Sequence, residues 1–461
     1  MSAEGRLLRL ALPLAALLLA GLGVRPHAGG WNDGSRLAAA ESLAERGTLA
    51  IDGSVYVQPW SAAAPPFTPG DALLAEKGTL DRIRVGGRFY SDKPLLPSIA
   101  MAGTWKVARF LGARPVAEEP RAFARLMGLL FAAVPFALAV AALHATALRV
   151  LREPVRAAVL AAAVSFATVA PAWGRQVNGH VLLLALLAAL LAGLLRWGEE
   201  GARPRPLLLV LGLLLGLAWA VEPGLGPLLG LVFGGLVALR SRGAVAPALL
   251  LAGALPPLAL HYAVNVSLFG TWLPANAVPA HLAWPGSPFT EETMTGRLLP
   301  RGAAWGALYA LDLLFGKKGF LLHAPPLLLL LPAAPLLLRA VRARGAAWAE
   351  AAASAALLLG TWLLYAATST NLSGACVSVR WFVPLLAPAL LLLAVALRER
   401  PALGRDLALL SAFGAVLAAL AFWKGPWTGR MLPCYWPIVG TALAAWGLAA
   451  LLARRRSAER S

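Results

Sequence analysis

Long apolar runs separated by short polar segments dominate the chain. Most of these runs are rich in Leu and Ala and last roughly 16 to 22 residues, the length with which an α-helix crosses about 30 Å of hydrocarbon. They show no strand-like alternation of apolar and polar residues. The pattern predicts an all-α polytopic membrane protein with 12 transmembrane helices, at residues 7–24, 122–148, 156–173, 180–195, 206–221, 225–239, 246–264, 320–338, 350–367, 381–397, 406–422 and 434–453.

The longest segment that does not suit lipid, residues 25–121, follows the first apolar run and is predicted to be an outer loop. Apolar residues recur with helical spacing across residues 37–44, which predicts an amphipathic helix along the membrane interface, ended by Gly47. Residues 82–90 predict a short hairpin that turns on two glycines. Residues 95–111 are apolar but interrupted by Pro, Lys and Arg, so they predict a second interfacial or re-entrant helix.

A second outer loop is predicted at residues 265–319, where the apolar piece at 303–316 is too short to cross the bilayer. Residues 57–70 are rich in Pro, Ala and Ser without any period, which predicts an exposed excursion of the first loop. No internal repeat of roughly 20 to 50 residues is visible. Residues 1–461 are therefore predicted to form one membrane domain with its working face outside.

Composition excludes an ordinary soluble protein, because 59% of the residues are hydrophobic, only 14% are charged and the mean hydropathy is +0.70. The net charge of +19 suggests nucleic acid at first sight. However, Arg concentrates in the loops on one side of the predicted spans, which identifies that side as cytoplasmic and places both termini there. Topology explains about half of the basic excess, so no nucleic-acid partner is predicted.

Two features near the ends of spans leave alternatives open. Arg6 and Arg9 before an apolar run resemble a signal peptide, but residues 26–28 are a poor cleavage site, so the first span is predicted to be an uncleaved anchor.

Two cysteines exclude a disulfide framework. Cys376 and Cys434 are both predicted at the outer face, where a single bridge and two unrelated buried thiols both remain open.

Familiar soluble signatures are absent from the sequence: it has no phosphate-binding Gly-rich loop with Lys, no His-Glu-x-x-His and no paired Cys-x-x-Cys. An ATP-driven machine and a zinc site are therefore not predicted, and no cofactor is expected. What remains is a carboxylate, Asp33, at the start of the outer loop. Its ordinary interpretation is a helix N-cap, because an Asp before Gly-Ser-Arg-Leu satisfies free backbone N–H groups, and this does not exclude a functional role.

Several cations lie near the same membrane face. Arg36, one helical turn after Asp33, is expected to pair with it or to bind an anionic ligand. Lys93 is held beside a proline, and its ordinary interpretation is an interfacial lysine that snorkels. Arg175 and Arg380 lie at the outer ends of spans, where an arginine is costly without a partner or a polar cavity, so each is a candidate site residue. Glu222 is a weaker candidate of the same kind.

Three motifs stand together in and around the first loop: Asp33-x-x-Arg36-x-Ala38, Lys93-Pro94-Leu95-Leu96, and Glu119 with Arg121-x-x-x-Arg125-Leu126. This layout resembles that of GT-C type membrane glycosyltransferases, and the groups closest in pattern are the protein O-mannosyltransferases and the aminoarabinose or related sugar transferases of bacterial envelopes. Residues 314–326 and 380–385 look like segments of bacterial members.

The resemblance implies a polyprenyl-phosphate-linked sugar as donor and transfer on the outer face of the bacterial inner membrane, to a hydroxyl of an envelope glycan, lipid or protein. Asp33 aligns with the family's acidic residue of the first loop, which is usually assigned to activating the acceptor hydroxyl. Many relatives carry a second acid where Gly34 stands here. This departure leaves metal dependence open, with Asp92 and Glu222 as candidate secondary acids.

We therefore predict that Asp33 acts as general base and that cations stabilise the leaving lipid phosphate, namely Lys93, Arg36, Arg175 and Arg380. A single displacement would invert the anomeric carbon. The alternative is a transporter or lipid flippase, in which the same charged residues line a pathway. Matching halves are not visible in the sequence and the polar residues cluster at one face, so the enzyme is preferred.

Overall fold

The computed structural model describes residues 3–58, 67, 72–199, 204–241, 243–290, 293–296, 298, 302–345 and 347–458. The helices and strands, in chain order, are α1 Ala3–Gly23, α2 Trp31–Arg46, α3 Ala72–Lys77, β1 Arg82–Val85, β2 Arg88–Ser91, α4 Leu95–Phe110, α5 Pro120–Gly128, α6 Val134–Leu151, α7 Pro154–Phe166, α8 Ala170–Trp173, α9 Gly179–Glu199, α10 Arg205–Val221, α11 Gly226–Arg240, α12 Val245–Phe269, α13 Pro279–Leu282, α14 Ala303–Phe315, α15 Leu330–Arg342, α16 Trp348–Thr368, α17 Leu386–Glu399, α18 Leu403–Lys424 and α19 Tyr435–Ala458. A π-helical turn at Leu129–Ala133 joins α5 to α6, and 3₁₀ turns lie at Ala275–Ala277, Pro325–Leu329 and Arg380–Leu385.

The prediction of an all-α polytopic membrane protein is confirmed. Within the described residues, nine helices are long and apolar enough to cross a membrane, and each overlaps a predicted span. The other three predicted spans, at residues 156–173, 206–221 and 225–239, correspond to the shorter apolar helices α7, α10 and α11. The total of 12 spans stays a prediction.

Helix α17 forms the centre of the bundle. All of its residues from Leu386 to Leu397 are buried, which agrees with a sequence that is apolar on every side. Helices α6, α9, α15 and α16 pack around it. The 3₁₀ turn that precedes α17 therefore holds Arg380 at a fixed place on the outer side of the bundle.

Helices α10 and α12 approach each other through glycines. A Cβ added to Gly212 would come within 2.1 Å of the Leu250 carbonyl oxygen, and one added to Gly216 within 2.4 Å of the Ala254 carbonyl oxygen. Small residues four apart allow such close helix packing in membranes. Because α10 ends at Val221, this rigid pair fixes the position of the next residue, Glu222.

The first outer loop has an apolar core of its own. Helix α2 ends as predicted at Gly47, which has a positive φ of 68°. Its residues from Asn32 to Ser42 are all buried, so this part of the helix has no polar face in contact with solvent, which differs from the amphipathic helix predicted along the membrane interface. The reason is that α4 and the hairpin cover it: Ala38, Ala39 and Ala40 allow close packing, and some polar side chains of the helix find partners within the loop, as Ser35 does with Ser91.

The predicted hairpin is confirmed. Strands β1 and β2 pair antiparallel with Arg82 opposite Ser91, and the turn uses Gly86 and Gly87 with φ of 57° and 81°. Two successive residues with positive φ are what a tight turn between twisted strands requires. Helix α4 follows Pro94 and covers 16 residues, fewer than any of the nine long spans.

Other parts of the loops agree in part with the sequence. Helix α14 is a short apolar helix where residues 303–316 predicted one. Residues 59–66 and 68–70 of the predicted excursion, and residues 291–292, 297 and 299–301 of the second loop, lie outside the described residues. Both cysteines are free; Cys376 is buried as expected, whereas Cys434 is exposed, which corrects the prediction of two buried thiols.

Candidate active site

A cavity of about 670 Å³ lies where the first outer loop meets the bundle. Its volume lies within the range of small-molecule sites. The charged residues of its lining are Asp81, Asp92, Lys93, Glu222 and Arg380. Apolar side chains of α4 and α12 form the opposite wall, among them Leu96, Ile99, Leu260, Val264 and Phe269.

The hairpin brings two carboxylates together at its open end. Since Arg82 pairs with Ser91, the residues one step further along, Asp81 and Asp92, become neighbours. Lys93 Nζ bridges them, 2.7 Å from Asp81 Oδ2 and 2.6 Å from Asp92 Oδ2. Burial nevertheless raises the pKa of Asp92 above its usual value, although Lys93 opposes the rise. Lys93 is therefore a partnered cation at the cavity wall and not a snorkelling one.

Glu222 sits among three cations. Burial raises the pKa of its carboxyl, and the charges of Arg36, Arg380 and Lys93 all oppose that rise. The Tyr365 hydroxyl donates a hydrogen bond to this carboxylate. We call Lys93, Arg36 and Arg380 the cation cluster. Glu222, which interacts with all three of these cations, lies on the cavity wall.

Arg36 and Arg380 keep unused hydrogen-bonding capacity. Arg36 is only 3% exposed, and among the described residues its Nε and Nη1 atoms have no hydrogen-bond partner; the same holds for Nε of Arg380. Burying a cation without a partner costs free energy that an anionic ligand can offset. The two guanidinium groups are thus prepared for an anion with several oxygens.

The start of helix α9 adds to this positive environment. Asn178 caps the helix, because its Oδ1 accepts a hydrogen bond from the Val181 N–H at 2.8 Å. The Arg36 guanidinium lies directly against the first residue, since a Cβ on Gly179 would come within 3.0 Å of Arg36 Nη2. His180 is buried beside it, and neither ring nitrogen has a partner within the described part of the chain. The positive end of the helix dipole also favours an anion here.

Arg380 is positioned by the segment that precedes it. Its backbone N–H donates to Ser373 Oγ at 3.0 Å. The Lys318 side chain donates to the Gly374 carbonyl, and the Lys318 carbonyl accepts from the Val379 N–H at 3.1 Å. The two predicted family-like segments, 314–326 and 380–385, therefore meet at this point, and the contact holds Arg380 toward the cavity.

Asp33 is not part of the cavity lining. It is 1% exposed, and its two carboxylate oxygens accept hydrogen bonds from the backbone N–H groups of Gly29 at 2.6 Å and Gly30 at 2.9 Å. It thus supports the start of α2 from the third helical position and not as the N-cap, which is Gly30. No ion pair joins it to Arg36 among the described residues. Its role as general base stays a prediction.

The missing second acid has a steric explanation. A Cβ on Gly34 would lie 2.9 Å from Phe67 Cε1 and 3.3 Å from Thr79 Cβ, so a longer acidic side chain does not fit without displacing the loop core. Within the described residues, no group of three or more His, Cys, Asp or Glu is arranged to hold a metal ion.

The burial of Asp33 predicts that the stability of the folded protein depends on pH. Burial raises its pKa from 3.8 to about 7, so the folded chain binds this proton more tightly than the unfolded chain. The resulting stabilisation is complete below the unfolded pKa and is lost as the pH rises through the folded pKa. We expect the thermal unfolding midpoint of the wild type to fall between pH 5 and about pH 8 and that of Asp33→Asn to fall less. Equal slopes for both proteins, measured in one detergent, would contradict this assignment.

Arg175 also lies outside the cavity lining. Its Nε donates to the Gly23 carbonyl at 2.9 Å, its Nη1 donates to the Phe422 carbonyl, and its guanidinium carbon lies 4.4 Å from the centre of the Phe422 ring. It therefore joins the outer ends of α1 and α18. The structure brings five of the predicted site residues together, Lys93, Arg36, Arg380, Asp92 and Glu222, and leaves Asp33 and Arg175 apart from them.

Two crystal structures are similar to the chain: ArnT from Cupriavidus metallidurans bound to undecaprenyl phosphate, and ArnT from the same organism in the apo state. The first has a TM-score of 0.52 and 14% identity and covers 96% of this chain and 76% of that chain; the second has 0.51 and 16% and covers 95% and 74%. ArnT is a GT-C aminoarabinose transferase. The chain has a GT-C-like fold. No family model matches the chain, and no curated protein matches it.

The GT-C-like fold confirms the resemblance inferred from the motifs at the level of architecture. Three residues of the site were not predicted: Asp81, His180 and Tyr365. The sequence could have predicted Asp81, because extending the hairpin register by one pair beyond Arg82 and Ser91 places Asp81 opposite Asp92. No pattern marks Tyr365, and His180 becomes a candidate only when α9 is known to begin beside Arg36.

Proposed function

We propose that the protein is a membrane glycosyltransferase that moves a sugar from a polyprenyl-phosphate-linked donor to an acceptor hydroxyl. The observation that carries the proposal is Glu222, a carboxylate among three cations at the wall of a cavity of about 670 Å³. The same fold occurs in a protein crystallised with undecaprenyl phosphate. The positive-inside pattern supports an active site on the outer face of the bacterial inner membrane, with both termini cytoplasmic.

In this proposal the donor phosphate binds at Arg36 and Arg380. Their unpartnered N–H groups, His180 and the start of α9 offer several donors to one phosphate group. Lys93 adds positive charge, but two carboxylates already partner it, so it ranks behind the arginines. The polyprenyl chain follows the apolar wall formed by α4 and α12. Cations fixed in advance stabilise the charge that grows on the leaving phosphate.

Glu222 is the general base in this proposal, in place of Asp33. It takes the proton from the acceptor hydroxyl while that oxygen forms a bond to the anomeric carbon. The bond between the anomeric carbon and the phosphate oxygen breaks, and its electron pair leaves with the polyprenyl phosphate. A single displacement inverts the anomeric carbon. A carboxyl whose pKa is raised by burial holds a proton more firmly than an ordinary one, which suits a general base.

Sealed membrane vesicles separate this function from that of a flippase. Inner-membrane vesicles with the outer face exposed are given a polyprenyl-phosphate lipid whose sugar is radiolabelled. A transferase moves the label from the lipid to an envelope glycan, lipid or protein and leaves unlabelled polyprenyl phosphate. Passage of the intact labelled lipid across the bilayer, without loss of its sugar and only when the protein is present, would favour the flippase instead.

A further inference from the structure

A second cavity lies at the opposite end of the bundle, between α1 and α6. Its volume is about 390 Å³, and its lining consists of Arg9, Ala141, His144, Ala145, Leu148 and Arg149. Arg9 lies six residues after the start of α1 and His144 seven before the end of α6, about 10 Å inside the bundle at about 1.5 Å per residue. Because the predicted spans begin at residue 7 and end at residue 148, Arg9 and His144 lie close to the predicted border between headgroups and hydrocarbon.

Two of the three polar groups of this cavity, Arg9 and His144, have no anionic partner among the described residues. His144 is only 1% exposed, it lines the cavity, and its Nε2 atom has no hydrogen-bond partner in the described part of the chain. The Arg9 side chain is exposed and makes no ion pair or hydrogen bond with the described residues, although it lies on an apolar membrane helix, where an unpaired cation is costly. Arg149 uses one guanidinium nitrogen for Glu199 at 2.7 Å.

The walls of the cavity indicate what kind of anion fits. Ala141, Ala145 and Leu148 recur on one face of α6 and are apolar. The neighbouring face of α1 exposes Leu10, Leu14 and Leu18, which is expected of a surface in contact with lipid chains. Two guanidinium groups and an imidazole thus stand at headgroup depth above apolar surface. This arrangement complements a phosphate that is attached to acyl chains, more than a free phosphate from water.

We propose that this cavity binds one anionic phospholipid of the cytoplasmic leaflet, with its phosphate between Arg9, His144 and Arg149 and an acyl chain along Ala141, Ala145 and Leu148. Basic pockets between membrane helices on the cytoplasmic side bind such headgroups. The bound lipid clamps α1 to α6. Helix α1 buries Ala16 and Ala20 completely, so the lipid adds a polar link at its other end to the apolar packing against α6.

The test uses the full-length protein in a neutral detergent, with phosphatidylglycerol, phosphatidylcholine and inorganic phosphate as separate additions. Native mass spectrometry counts bound lipids, and thermal unfolding measures stabilisation. We expect one phosphatidylglycerol to stay bound and to raise the unfolding midpoint, with little effect of phosphatidylcholine or inorganic phosphate. Arg9→Gln and His144→Gln should each weaken this binding about tenfold or more, as loss of a charge-assisted hydrogen bond does.

Arg6→Gln is the matched control, because it removes the same charge from the same helix but Arg6 does not line the cavity. It should leave the retained lipid in place. An equal loss in Arg6→Gln, or equal retention in Arg9→Gln and His144→Gln, would overturn the proposal. Equal stabilisation by inorganic phosphate would overturn the lipid assignment in favour of a free anion. Equal stabilisation by phosphatidylcholine would overturn the proposed selectivity for a headgroup with a negative net charge.

Discussion

Glu222→Gln is expected to lower kcat for sugar transfer by about 10²–10⁴-fold, the usual contribution of a positioned general base. Gln has nearly the same shape and still accepts a hydrogen bond from Tyr365, but it does not take up the acceptor proton. The change also removes the carboxylate that interacts with all three cations of the cluster, so donor binding should become tighter. We therefore expect kcat and KM for the donor to fall together, measured as release of polyprenyl phosphate in envelope extracts.

The pH profile provides a second readout for Glu222. Because burial raises the pKa of this carboxyl, the acid limb of kcat/KM in the wild type should lie at higher pH than for an ordinary glutamate. The residual activity of Glu222→Gln should lack this limb. Asp33→Asn is the matched comparison, since it changes a buried carboxylate that does not line the cavity. An active Glu222→Gln beside an inactive but folded Asp33→Asn would restore Asp33 as the base.

Arg380→Gln is expected to weaken binding of the donor and to lower kcat by about 10²–10³-fold, the usual loss when one preorganised donor to a developing negative charge is removed. Arg380→Lys should recover only part of this activity, because an ammonium group does not offer the two-pronged geometry of a guanidinium. Binding is measured with radiolabelled polyprenyl phosphate and turnover with the same assay as for Glu222→Gln.

Arg175→Gln is the control for Arg380→Gln. Both residues are arginines on the outer side of the bundle, but Arg175 is occupied by the carbonyl groups of Gly23 and Phe422. Its replacement should lower the thermal stability of the protein, because α1 and α18 lose their tie, and should leave donor affinity unchanged. If Arg175→Gln reduced donor affinity as strongly as Arg380→Gln, the location of the phosphate site would be wrong.

The spans and the hairpin followed from local sequence patterns. Apolar length predicted the helices, and two consecutive glycines set the register that brings Lys93 to its place. Lys93, Arg36 and Arg380 were expected near one membrane face, and the structure places all three around Glu222. In these cases a residue's position along a helix or strand is enough to determine where its side chain lies.

The sequence could not predict the direction in which individual side chains point. Asp33 turns back to the N–H groups of Gly29 and Gly30 because the chain before α2 is folded over it, and Arg175 is taken up by carbonyls far along the chain. Glu222 became a stronger candidate for the same kind of reason: the groups around it come from α2, the link between β2 and α4, α16 and the turn before α17, which only the packed structure assembles. Long-range packing, not local pattern, selects the carboxylate at the cavity.

The mass of the lipid bound to the purified protein, before and after addition of an envelope extract, tests the central claim most directly. The account predicts that the wild type holds a sugar-bearing polyprenyl-phosphate lipid, which loses the sugar and becomes polyprenyl phosphate when the extract is added. Glu222→Gln should hold the same lipid with its sugar retained. A wild-type protein whose bound lipid keeps its sugar under these conditions, or which binds no polyprenyl-phosphate lipid, would contradict the account.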